Sequence, residues 1–469
     1  MNRLTTILLS LSVASLSSCA SVSRDAGVAD VQQALSSRGG SNLQWSAQPA
    51  TVDDERVAGM LQGELTADQA VAIATVNSPR LQVTLAELGI ARAELMQAST
   101  IANPLFGAEF RFPADPFYAY EFRLAQSLID LIQLPRRRAL GRAVFDAATM
   151  RISAEVLLLA SDVRSSYYDT LAATQHVAAT RVILESAKAA ADLAMKQHSA
   201  GNITDLDLEN EQAMYEQAKL DLARAEQQLL LDREGLIRSM GLRNGAAGWR
   251  LPDRFPQLAS SEMDQQQLEQ LASAQRLDLS IARREVEIAQ RQVPLARLAA
   301  LGELQGDIHY QRDANGARTV GPGIDVPIPI FNNGQAARSR AEAQFLRSRH
   351  LLNALLAESS SQIRSARATV AEARARVEYY RDILLPRRQR IVDLTKLEHN
   401  AMLAGTFQLL QAKQNEAQAQ RNYIDAQRDY WSARANLDRA VNGLATDTSF
   451  TPATDQGTVR RTRATRGGK

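Results

Sequence analysis

The chain of 469 residues carries 54 Lys and Arg against 52 Asp and Glu, and a formal net charge of +2 gives no field for wrapping a polyanion, so a nucleic-acid partner is excluded. Hydrophobic residues make up 45% but aromatic residues only 5%, too few bulky groups for the roughly three compact cores this length suggests, and better suited to narrow, Ala-rich helix packing. A mean hydropathy of −0.25 without a long apolar run excludes a helical membrane protein, but not a β-barrel, whose strands are only half apolar.

Residues 1–18 read as a secretory signal, with Arg3, a short apolar core and then small residues. Leu16-Ser17-Ser18-Cys19 resembles the lipobox of bacterial lipoproteins, which implies diacylation of Cys19, the only cysteine in the sequence. Ala20 in place of Asp after it implies sorting to the outer membrane. Residues 19–64, polar and rich in Ser, Gly and Gln, are predicted to form a lipidated, poorly ordered tether.

From about residue 65 the chain repeats with an offset near 200 residues, dividing it into units at 65–245 and 246–443. Each opens on a helix, residues 89–98 answering to 287–296. A strand hairpin follows, at about 104–130 and about 303–331. In the first, Phe106, Ala108, Phe110 and Phe112 oppose Glu109 and Arg111; after Pro113-Ala114-Asp115-Pro116, Tyr118, Tyr120, Phe122 and Leu124 oppose Glu121 and Arg123. In the second, Leu304, Gly306, Ile308 and Tyr310 oppose Gln305, Asp307, His309 and Gln311, Asn315-Gly316 supplies the turn, and Val320, Ile324, Val326, Ile328 and Ile330 form the next apolar face. A greasy face against a polar one suits strands with lipid outside and water inside.

The long segments carry heptads. Val156, Val163, Thr170, Val177, Leu184 and Ala191 are spaced by seven in the first unit, and Leu356, Ile363, Val370, Val377, Leu384 and Ile391 in the second. Gly201 and Gly405 mark turns into return helices whose heptads run through Leu208, Tyr215, Leu222, Leu229 and Leu236, and through Leu409, Glu416, Tyr423, Tyr430 and Leu437. The first long helix is predicted over 142–200, far longer than a compact domain needs, and Pro386 is predicted to kink the second without ending it. Four strands cannot close a membrane barrel, because unpaired edges in lipid are costly, so the chain must be multiplied.

The order helix, strand hairpin, long helix, turn and return helix, twice over behind a lipobox, resembles the TolC/OprM-type outer-membrane efflux proteins. Ala102-Asn103-Pro104 before the first strand, the run from Val326 through Pro327 and Pro329 to Gly334, and Ala404-Gly405-Thr406 ahead of Leu409-Leu410-Gln411-Ala412 support it, over roughly residues 65–443. The resemblance implies a mainly α fold with a small transmembrane β part: long antiparallel helical hairpins forming an α-barrel tunnel, and four strands per chain completing a twelve-stranded barrel in a homotrimer. It implies a passive duct without catalysis, serving a periplasmic adaptor (membrane fusion) protein and an inner-membrane pump of the resistance-nodulation-division type, and exporting drugs or metal ions. No cofactor is expected apart from the covalent lipid. Gly201, Asn202, Thr204, Gly405 and Thr406 would form the periplasmic tip turns that meet the adaptor. Some relatives close the tip with an Asp pair; here the matching positions are Gln408 and Gln411, which implies a neutral polar constriction.

Other features have plainer readings. The five histidines are scattered, without partners at metal-ligand spacing, and no nucleotide-binding or nucleophile motif is present. Arg136-Arg137-Arg138, with Arg142, reads either as a solvated helix start or as a group at the periplasmic rim of the barrel that contacts lipid phosphates or the lumen. Residues 444–469 are predicted to be a disordered basic tail. A structural coiled-coil lipoprotein would explain lipobox and heptads equally well but has no use for strands with one aromatic face; a type I protein-secretion outlet is the rival within transport.

Overall fold

The computed structural model describes residues 28–36, 57, 59–112, 119–242, 249–298, 302, 304–313 and 315–444. The signal, Cys19, the Pro113–Pro116 turn with Tyr118 and the basic tail from 445 lie outside them. In chain order the elements are α1 (Val28–Ser36), α2 (Ala67–Asn77), α3 (Pro79–Ala98), β1 (Leu105–Arg111), β2 (Ala119–Ser127), α4 (Leu128–Ser199), α5 (Asp205–Ser239), α6 (Gln265–Gln275), α7 (Leu277–Leu298), β3 (Gln305–Arg312), β4 (Arg318–Asp325), α8 (Gln335–Tyr379), a π-helical segment (Tyr380–Leu384), α9 (Leu385–Asn400) and α10 (Thr406–Asn442). The fold is mainly helical with one small antiparallel sheet, as expected.

The expected tether departs from prediction at α1, a helix whose Val31 and Leu35 are fully buried in the main core. Two apolar residues one turn apart in a polar stretch are enough to dock a short helix when a groove is ready for them. The first long helix also begins earlier than predicted. Its N-cap is Ser127, the last residue of β2, whose hydroxyl accepts from the Asp130 amide at 3.3 Å, so strand passes into helix without a loop. Pro135 is carried inside it. At 72 residues and about 1.5 Å per residue, α4 is about 110 Å long.

The heptads predict burial well where helices pair. Val156, Val163, Thr170, Val177 and Ala191 are buried in α4, as are Ile363, Val370 and Val377 in α8, whereas Leu356 and Ile391 at the ends of the second series are exposed. Buried hydroxyls in α4 satisfy themselves on the preceding turn: Thr149 Oγ1 donates to the Phe145 carbonyl at 3.1 Å and Ser153 Oγ to that of Thr149 at 2.8 Å. Helical structure continues through Pro386, as predicted. The irregularity lies just before it, at the π turn, where the Leu385 amide reaches back to the Tyr380 carbonyl and leaves room for a ring that would collide with a regular helix.

The repeat is also visible in the helix ends. Gly241 (φ 71°) and Gly443 (φ 65°) follow the two return helices in the left-handed conformation. Each is pressed against its unit's opening helices, Gly241 on Asn77 and Ser78, Gly443 on Asp278 and Arg276, so that no side chain fits at either. Asn77 Nδ2 donates to the Gly241 carbonyl at 2.7 Å, while Arg276 donates to the Ala440 carbonyl at 2.8 Å and forks onto Asp278 at 2.6 and 3.0 Å.

Both hairpins join one sheet in the order β1-β2-β3-β4, antiparallel throughout. The apolar faces predicted separately fall into register: Phe106 stands opposite Leu124, Phe122 opposite Tyr310, Leu124 opposite Ile308 and Tyr310 opposite Val320. The fourth strand stops at Asp325 rather than continuing to Ile330. Pro327 and Pro329 have no amide hydrogen to donate to a ladder, and the chain turns instead, with the Ile330 amide on the Ile328 carbonyl.

Among the described residues, rings in mutual contact form two groups. One covers the sheet; the other, not anticipated, centres on Tyr168, stacked 5.1 Å from Trp431 and 6.3 Å from Phe255, with Tyr167 edge-on at 5.3 Å.

Candidate functional site

Three surfaces follow from this architecture. The first is the sheet. On one face Phe106, Phe110, Leu124, Ile308, Val320 and Ile324 are each at least half exposed, an apolar patch too continuous for water. On the other face Arg123 of β2 pairs with Asp325 of β4 at 3.1 Å across the one strand between them, and Arg111 with Glu109 at 2.8 Å and Glu121 at 3.4 Å. Glycines make room there: Asp307 packs over Gly323 and His309 over Gly321. The outer edges of β1 and β4 have no strand partner among the described residues.

The second surface is the pair of helical tips, which lie side by side: the Gln414 amide of α10 reaches Met214 Sδ of α5 at 3.0 Å. In the first turn Gly201 (φ 75°) is left-handed, with its amide on the His198 carbonyl at 2.8 Å and that of Asn202 on Gln197 at 2.9 Å. Thr204 caps α5 in a reciprocal box with Asp207, hydroxyl to carboxylate 2.7 Å. The second turn repeats this geometry with different residues. Gly405 lies in this turn, as its place before the return helix suggested, but it is not the left-handed residue: at φ −74° it is the N-cap of α10. Met402 (φ 61°) takes the left-handed position, its amide on the His399 carbonyl at 3.0 Å. Gln408 does the work of Asp207, its Oε1 accepting from the Gly405 amide at 3.1 Å. Gly201, Asn202, Gly405, Gln408 and Gln411 are all exposed, and Thr406 opens α10.

Reasoning from sequence missed four tip residues. His198 Nε2 lies 2.6 Å from Asp205, and His399 Nδ1 donates to the Ala404 carbonyl at 3.0 Å, so each turn is bridged by a histidine at the equivalent position. Aligning the units at an offset of 201 would have paired them, and paired Met402 with Gly201. Glu211 is 6% exposed with Oε2 unpartnered, where the second unit has Ala412. Burial, reinforced by Asp207, raises its carboxyl above the ordinary range.

The third surface is a groove between α4, α5 and α10 enclosing about 610 Å³, lined among others by Asp169, His176, Asp221, Asp232 and Arg428. His176 Nε2 lies 3.0 Å from Asp425, which ties α4 to α10. Burial pushes the Asp425 carboxyl up, but the His176 hydrogen bond and the His176 and Arg428 charges outweigh it and hold it low. Asp169 is raised by burial, with Arg428 opposing. Charges of both signs alternate there, and among the described residues no three metal-ligating side chains converge.

A family described as outer membrane efflux protein matches the chain over residues 70–242 and 268–443, the two repeat units. No curated protein sequence matches it. Among solved structures it is similar to a membrane protein from Pseudomonas aeruginosa (20% identity, 86% of this chain and 97% of that one, TM-score 0.69) and to the outer membrane protein VceC from Vibrio cholerae (17%, 81% and 97%, 0.67). It is likewise similar to CusC, whose structures concern folding and transmembrane channel formation (16%, 86% and 99%, 0.67).

Proposed function

The chain belongs to the outer membrane efflux protein family, and from that membership we propose that three copies form a passive outer-membrane duct for small molecules. The observation that carries this reading is the four-stranded sheet with an exposed apolar face and two edges unpaired among the described residues, set on a helix, α4, about 110 Å long. Edges left open in lipid cost several kcal/mol per backbone group, so β4 of one copy must pair with β1 of the next. Three sheets of four strands leave a channel where two would fill with side chains.

Below the membrane the long helices continue the wall, and the tips at Gly201, Asn202, Thr204, Gly405 and Thr406 meet a periplasmic adaptor, with Gln408 and Gln411 at the constriction. The adaptor and an inner-membrane pump of the resistance-nodulation-division type supply energy and choose the cargo, drugs or metal ions; the duct contributes no chemistry. Diacylated Cys19 anchors it in the outer membrane. The type I secretion and spacer readings gain no support from any particular residue.

The test is the full-length protein purified from outer membranes: a heat-modifiable trimer that opens channels in planar bilayers is expected. A water-soluble monomer after Cys19→Ala, without conductance, refutes the duct.

A further inference from the structure

All four helix-linked strand ends lie in one row, because Leu105 pairs with Ala125, Ser127 with Gln305 and Gln305 with Asp325. At this junction the sequence concentrates positive charge. Residues 128–142 hold Arg136, Arg137, Arg138 and Arg142 against one carboxylate, Asp130; residues 335–350 hold Arg338, Arg340, Arg347 and Arg349 against one, Glu342. Each stretch therefore carries a surplus of three positive charges, in a chain whose total is +2.

Those carboxylates are already engaged. Arg137 holds Asp130 at 3.0 Å, and Arg338 and Arg297 hold Glu342 at 3.0 and 3.7 Å. Arg136 and Arg138 are exposed without an ion pair among the described residues, and Arg347 and Arg349 are exposed one repeat away. Exposed apolar side chains lie on the strand side of this charge. On α4, Leu131 stands two turns above Arg138 and Ile132 one turn above Arg136, on the same faces. Between β4 and α8, Ile328, Ile330 and Phe331 are 79%, 74% and 94% exposed.

We propose that this junction is a basic collar that binds the phosphates of anionic phospholipids where the barrel leaves the inner leaflet of the outer membrane. An apolar band ending in arginines is the order that hydrocarbon and headgroup present. Guanidinium groups also match phosphate oxygens in fork geometry. The collar rests on the barrel reading, since it needs the sheet in lipid.

The experiment reconstitutes the full-length protein in phosphatidylcholine with a minor fraction of phosphatidylglycerol and counts the lipids retained by native mass spectrometry. Retained phosphatidylglycerol is expected to exceed its bulk fraction, to decline with salt, and to fall about fivefold in the Arg136→Gln/Arg138→Gln/Arg347→Gln/Arg349→Gln variant. The wild-type salt dependence stands by itself should the variant fold poorly. Bulk-ratio lipid in the wild type, enrichment indifferent to salt, or a variant with altered ion selectivity but unchanged enrichment overturns the collar, the last by placing the arginines in the lumen. Conductance in pure phosphatidylcholine separates the two readings: a conducting protein without enrichment sinks only the collar, and absent conductance sinks the barrel.

Discussion

Met402 occupies in the second hairpin turn the left-handed place that Gly201 occupies in the first, with φ of 61° against 75°. Its side chain is 94% exposed, so no packing offsets the backbone cost of a Cβ in that region, about 1 kcal/mol. Met402→Gly is expected to slow amide exchange around residues 399–404 by about fivefold, and Gly201→Met to speed it at 198–203 by as much. Equal exchange in wild type and Met402→Gly would show the turn to be unstrained.

That pair also shows what was legible beforehand. Heptads, strand alternation and duplication are periodic, so the helices, the sheet faces and the repeat could be read from Val156, Phe122 or Ile363 alone. Turn geometry is not periodic: a glycine marks each turn, but only the backbone shows that Gly201 is left-handed in one and Met402 in the other, with Gly405 an N-cap. The early start of α4 has no loop or turn residue to mark it, because strand passes into helix at Ser127. Docking of Val31 and Leu35 depends on a groove formed by distant residues, and no local pattern announces it. The tip residues Gln408 and Gln411 were placed through family resemblance, and only the cap reveals that Gln408 has a structural task.

Arg276 offers a test of how the second unit is held together. Its side chain, 3% exposed, spans Asp278, the Ala440 carbonyl and Gln362 at 2.6 to 3.0 Å, which needs the flat guanidinium fork. Arg276→Ala strands Asp278 and is expected to cost about 3–5 kcal/mol. Arg276→Lys keeps the charge but loses the fork and should recover less than half of that in denaturant melts. Full recovery by lysine would reduce the site to a simple ion pair.

Glu211 predicts a pH effect with a definite sign. Its folded pKa is raised, so its contribution is favourable below the unfolded carboxylate pKa, near 4.3, and is lost as pH rises through the folded value. Glu211→Gln removes that loss and should stabilise the first hairpin at pH 7 by about 1 kcal/mol, with little gain at pH 4. Melting curves of both proteins at the two pH values check this; an equal gain at both would locate the effect in packing.

Gln408 and Gln411 separate a capping role from a gating role. Gln408 caps α10 through the Gly405 amide, whereas Gln411, one turn further on and exposed, makes no such bond. Gln408→Ala is expected to loosen the tip by about 1 kcal/mol, seen as faster exchange at Gly405, and Gln408→Glu to keep the cap. Gln411→Ala should leave exchange unchanged. If the two side chains narrow the duct, both alanine variants raise single-channel conductance, and the double variant raises it further than either. Unchanged conductance in the double variant removes the glutamines from the constriction and leaves Gln408 as a helix cap alone.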